Sequence, residues 1–198
     1  MIVKSLKKSK KKDLYNVVID EMSLELSENI IVKYRIVKGK EVDKAILKDI
    51  IKDNNLDALY SKTMAYAIRY NKGSAEIRKY LEKKETSDFE IELIIKRLIE
   101  SKIISDLDVV EGLVSSYVRN GNGILLIKEK LYQKGYSKEL TDLALENINY
   151  DMYYQKMNNQ YTKALKAQKK GDEFERMMKA KNAMLRRGYT YSDLEKLN

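Results

Sequence analysis

The sequence contains no cysteine, histidine, proline or tryptophan. Without cysteine or histidine, zinc sites built on those ligands are excluded. So are Ser–His–Asp and Cys–His nucleophile systems. Disulfides cannot form, which fits a reducing compartment. No run of about 18 apolar residues occurs, so nothing reads as a membrane span. The basic N-terminus is not followed by the apolar stretch of a secretory signal. The expected location is therefore the cytoplasm. With no proline, nothing interrupts a helix. Nucleotide-binding loops of the GxxxxGK[ST] or GxGxxG type are missing as well.

What is abundant is charge, and it is unevenly placed. The net charge is +9. Lys4, Lys7, Lys8, Lys10, Lys11 and Lys12 precede the first acid, Asp13. A second basic block runs from Lys163 to Arg187, with Asp172, Glu173 and Glu175 as its acids. The chain between them is close to balanced. Such asymmetry suggests a polyanionic partner.

The first forty residues differ from the rest. LYNVVID (14–20) and MSLEL (22–26) are β-branched and aromatic around Asp20-Glu21, so they read as two strands with a tight connection. MIVKSLK would add a third. IIVKYRIV (30–37) has strand propensity, but the preceding SEN can cap a helix. From about Val42 onward the apolar spacing is helical, as in AILKDIIKD (45–53).

A repeat then organises the chain. Shifted by 50, AIRYNKGSAEIRKYLEKK (67–84) falls on YVRNGNGILLIKEKLYQK (117–134). Arg69 meets Arg119, Gly73 meets Gly123, Ile77 meets Ile127 and Leu81 meets Leu131. A further shift of 53 sets Gly135, Tyr136 and Ser137 on Gly188, Tyr189 and Thr190. Gly135 and Gly188 read as C′ residues at positive φ, and the Ser or Thr after them as the next helix cap. Ser87 with Glu90 forms a capping box. The spacing predicts a mainly α protein: tandem three-helix units at 56–104, 105–150 and 151–198, in an elongated curved array behind an N-terminal β-hairpin region, 1–55.

Little chemistry is left to such a chain. The GNG at 121–123 before a helix reads as a turn rather than an anion site. Asp106 with Asp108, and Asp142 with Glu146, read as solvated helix faces. Tyr150, Tyr153, Tyr154 and Tyr161 could offer stacking platforms for bases, but at helical spacing they read as core or interhelical packing. No cofactor and no enzyme activity are expected. The scaffold reads as a binding surface for a partner, with nucleic acid second.

The repeat residues resemble those of the RecX regulatory family. The resemblance rests on AYAIRYNKGSAEIRKYLEKK and on IIKRLIESKIISDLDVVEGLVSSYVRNGNGILLIKEKLYQKGY, and covers about residues 60–150 well. It extends to YNVVIDEMSLELSENIIVKYRIVKGKEVD, whose counterpart in the low-GC Gram-positive branch favours a helix over 28–36. Glu111-Gly112 departs from the family's Phe-Ala, a weaker helix choice by roughly 1 kcal/mol for the glycine. The resemblance implies a protein that lodges in the groove of the RecA recombinase filament on single-stranded DNA, contacting the strand directly or through the filament. It would restrain filament growth, ATP hydrolysis by the recombinase and strand exchange, and so modulate repair, recombination and the SOS response. On this reading Arg69, Arg78, Lys79, Arg119, Lys128, Lys130 and Lys134 line a repeated basic face, with Arg186 and Arg187 in the third unit. The alternative is a helical protein that binds DNA independently of sequence or at an operator, repressor-like, without a recombinase partner. Three similar units in series favour a groove-filling monomer, and so the filament reading, over a repressor with one recognition helix and a dimer seam.

Overall fold

The N-terminal sheet is antiparallel, ordered β1 (Val3–Lys8), β2 (Leu14–Ile19), β3 (Met22–Ser27) in the computed structural model, which describes residues 1–11 and 13–197. Lys12, one of the N-terminal lysines, lies outside the described residues. Ile19 pairs with Met22 across Asp20-Glu21, and Asp20 takes a positive φ of 48° to close that turn. Strand alternation puts Val17, Ile19 and Leu26 on the buried face. The edge at β1 is partly covered by the returning chain: the Val3 N–H donates to the Lys40 carbonyl at 3.0 Å, and the Gly39 N–H to the Val3 carbonyl at 2.9 Å.

Ser27 caps α1 (Glu28–Lys33), its hydroxyl accepting from the Ile30 N–H at 3.3 Å. The helix expected over 28–36 exists but stops three residues early. Arg35 turns at φ 48°, and that turn lets Ile36 enter the core at 1% exposure.

α2 (Lys44–Tyr70) is one helix of 27 residues, about 40 Å long at 1.5 Å per residue. It passes without a break through 55/56, where the repeat places its first unit boundary. Asn54 explains why a polar stretch can stay helical there. Its amide accepts from the Ser27 N–H and donates to the Glu25 carbonyl, both at 3.0 Å, tying the middle of α2 to β3. The first half of α2 therefore packs on the sheet and the second half on the first repeat.

The remaining helices are α3 (Ser74–Glu82), α4 (Asp88–Glu100), α5 (Asp106–Arg119), α6 (Ile124–Lys134), α7 (Lys138–Glu146), α8 (Tyr150–Ala167), α9 (Glu173–Arg186) and α10 (Tyr191–Leu194). They follow the three-helix rhythm of the sequence. The Glu90 carboxylate accepts from the Ser87 N–H at 3.3 Å and from its hydroxyl at 2.6 Å, the capping box read in the sequence. Ser137 and Thr190 cap α7 and α10 through the Leu140 and Asp193 N–H groups.

Burial divides into three clusters. One joins the sheet to α1 and the start of α2, through Val3, Ile19, Leu26 and Ile50. A second is local to the first repeat, through Ile77, Leu81, Ile91, Ile94 and Leu98. The third runs through both later repeats, from Val110 and Ile127 to Tyr153, Met184 and Tyr189. The last two repeats thus share one core.

Candidate partner interface and the joints between repeats

The duplicated Gly-Tyr-(Ser/Thr) turn forms the joint between neighbouring repeats. α3 and α6 both start after a glycine, Gly73 and Gly123, with no side-chain cap of their own. Each receives its cap from the following repeat. At the first joint the Ser74 N–H donates to Asp106 at 2.6 Å, and the Ser74 hydroxyl also binds that carboxylate. At the second, the Ile124 N–H donates to the Tyr153 hydroxyl at 3.3 Å, which in turn donates to Asp193 at 3.1 Å. Backbone joins backbone there too: the Gly123 N–H donates to the Arg187 carbonyl at 2.8 Å, and the Leu125 N–H to the Gly188 carbonyl at 3.0 Å. The GNG segment is thus a turn already filled by protein, as its sequence suggested.

Glycine is required at Gly123 by this approach. A Cβ would lie 2.2 Å from the Gly188 carbonyl carbon and the Tyr189 nitrogen. Gly135 and Gly188 have φ of +98° and +85°, as helix-ending turns of this kind need.

The two tyrosines of the motif have different fates. The Tyr136 hydroxyl donates to Glu76 across the first joint. Burial and that hydrogen bond push its ionisation well above the usual tyrosine range. Tyr189 is buried with no hydrogen-bond partner for its hydroxyl, and burial pushes it up to about 12.

Four of the nine basic residues singled out in the sequence are engaged within the protein. Arg78 pairs with Glu92, Lys128 with Asp142 at 2.7 Å, and Lys134 with Glu76 at 3.6 Å. The Lys128 ammonium hydrogen-bonds Asp142 and holds its carboxyl below the usual range. Lys79 donates to the Lys134 carbonyl at 3.1 Å, closing the end of α6 from the first repeat. The other five, Arg69, Arg119, Lys130, Arg186 and Arg187, enter no ion pair among the described residues. Arg69 and Arg119 lie in the last turns of α2 and α5 at matching repeat positions, and both are exposed. Lys130 lies 5.6 Å from the Tyr117 ring centroid.

A regulatory protein RecX of Listeria monocytogenes serotype 4a (strain HCC23) is 26% identical over 189 residues, covering 94% of this chain and 70% of that protein. The chain is RecX-like along nearly its whole length. The regulatory protein RecX of Oceanobacillus iheyensis is also 26% identical, over 91% of this chain and 69% of its own length. A RecX crystal structure superposes with a TM-score of 0.89 at 22% identity, covering 99% of this chain and 98% of that one. RecX from Lactobacillus salivarius gives 0.63 at 21% identity, over 72% of this chain and 94% of its own. These likenesses place the fold, sheet included, among RecX structures. No family model matches the chain. The RecX-like relatives are named as regulatory proteins. Among the described residues no helix is long and apolar enough to cross a membrane.

Two clusters escaped the sequence reading. Asp57 is buried on α2, where it accepts from Arg97 of α4 and from Asn29 of α1, each at 3.3 Å. The Arg97 guanidinium lies 3.9 Å from the Tyr60 ring centroid. These residues border a 280 Å³ cavity between α1, α2 and α4. The second cluster is a group of tyrosines, Tyr66, Tyr70 and Tyr80, at the corner of α2 and α3. The i, i+4 spacing of Tyr66 and Tyr70 was a visible signal for it.

Proposed function

We propose that this chain is a cytoplasmic, non-catalytic regulator that binds a RecA-type recombinase filament on single-stranded DNA and restrains its growth, ATPase and strand exchange. By doing so it modulates DNA repair, recombination and the SOS response. The observation that carries this reading is the sequence likeness to regulatory proteins named RecX over more than nine-tenths of the chain. The serial joints support it. They link successive helical units into one continuous array, the kind of scaffold that offers an extended binding surface. The chain acts as a monomer and takes no cofactor; ATP is hydrolysed by the recombinase. The partner face is carried by Arg69, Arg119, Lys130, Arg186 and Arg187. Arg78, Lys79, Lys128 and Lys134 contribute through the joints and helix pairs they hold.

The test is ATP hydrolysis by the cognate recombinase on single-stranded DNA, with substoichiometric amounts of this protein. The expected result is a strong drop. In a variant carrying Arg69→Glu, Arg119→Glu and Arg186→Glu the drop is lost while the helical circular dichroism is kept. An unchanged ATPase with the parent protein, beside binding to DNA alone, moves the assignment to a DNA-binding protein without a recombinase partner.

A further inference from the structure

Three tyrosines share one surface where α2 turns into α3. The Tyr66 and Tyr80 rings stack, with centroids 4.2 Å apart and planes 8° from parallel. Tyr70, one turn beyond Tyr66, is tilted against it at 5.3 Å. Tyr70 is 53% exposed although it is a large aromatic residue at a helix end. Cations flank the rings. The Arg69 guanidinium lies 5.5 Å from the Tyr70 centroid, and the Lys84 ammonium 4.9 Å from that of Tyr80. Lys62 is four residues before Tyr66, on the same helix face. Arg69, Lys84 and Lys62 enter no ion pair among the described residues.

Tyr80 also packs against the core of the first repeat, but the corner itself can be turned without aromatic rings. Fifty residues later the second repeat turns the same corner with Ser116, Asn120 and Lys130 at the places of Tyr66, Tyr70 and Tyr80. It keeps the cations, with Arg119 and Lys134 at the places of Arg69 and Lys84. The aromatic surface is thus specific to the first repeat and is laid over a charge pattern common to both.

We propose that this corner is a stacking platform for single-stranded nucleic acid. The open face of Tyr70 takes a base, the Tyr66–Tyr80 pair supports the next, and Arg69 and Lys84 hold the flanking phosphates. Rings interleaved with cations match a strand in which bases alternate with phosphates, and every base has a π-face to offer. An acidic peptide would use the cations and leave the rings idle. The proposal deepens the filament-regulator reading by giving the chain its own contact with the strand. Its test omits the recombinase, so the two can fail separately.

The chain has no tryptophan, so Tyr70→Trp installs a single fluorescent reporter that can still stack. Titration with oligothymidylate is expected to quench it. In anisotropy with labelled oligothymidylate, Tyr70→Leu is expected to weaken binding about 10-fold, while Tyr70→Phe stays within about twofold of the parent. Leucine keeps the bulk and loses the π-face, and the exposure of Tyr70 leaves the fold intact. Three results each overturn the platform: no binding of oligothymidylate by the parent, equal affinity in Tyr70→Leu, or displacement by polyglutamate at matched charge. A chain that slows the recombinase but binds no oligothymidylate loses the platform and keeps its filament role.

Discussion

Gly112 and Gly123 show how differently one residue type is used. Gly112 lies inside α5 with nothing within 4 Å of an added Cβ. Gly112→Ala should therefore raise stability by about 1 kcal/mol through helix propensity alone. Gly123→Ala drives a methyl into the Gly188–Tyr189 backbone and should cost about 3 kcal/mol. Thermal unfolding followed by circular dichroism separates the two, and equal effects would refute the close approach. The motif tyrosines form a similar pair. Tyr136→Phe removes a hydrogen bond to a carboxylate and should cost about 2 kcal/mol. Tyr189→Phe removes a buried hydroxyl that has no partner, so stability should stay level or rise. Urea midpoints of the two variants check this, and a larger loss at Tyr189 would overturn the assignment.

At the scale of elements, the helices of one repeat are finished by the next. α3 and α6 have glycine at the cap position and depend on Asp106 and Tyr153 for the first N–H of the helix. This places phenols in the joints, and burial raises the ionisation of Tyr136, Tyr153 and Tyr189. Tyr189 ionises at about 12 when folded, against 10.0 for an ordinary tyrosine. A folded-state value above the unfolded one means the stability is fully present below pH 10 and is lost as pH climbs through 12. Helicity should thus fall across that window together with a late rise in tyrosinate absorbance. Early, complete ionisation with helicity intact would show that the joints are open to solvent.

For the whole molecule, the three burial clusters set the units of cooperativity. α5 to α10 share one core, so their amides should exchange with hydrogen at one common free energy. The sheet with α1, and the first repeat with its own core, should each form a separate exchange group. α2 belongs to both of those and should exchange in two halves, with its first turns following the sheet. Native-state exchange resolved by residue checks this; a split between the second and third repeats would contradict the shared core.

The local grammar was legible in the sequence because it acts within a few residues. Ser87, Ser137 and Thr190 mark helix starts, Gly135 and Gly188 mark helix ends, and the 50-residue shift reveals the repeat. The strand alternation of 14–26 and the cap at Ser27 are equally short-range. Tertiary structure decided what depends on distance in space. It carried α2 through 54–56 because Asn54 reaches β3, ended α1 at Lys33 ahead of the turn at Arg35, and merged two repeats into one core. It also divided the basic residues. Lys134 finds Glu76 and Arg78 finds Glu92 only because the helices meet, while Arg69 and Arg119 stand at exposed helix ends. Spacing along the chain records which residues share a helix face, but the neighbour that covers that face is fixed by packing.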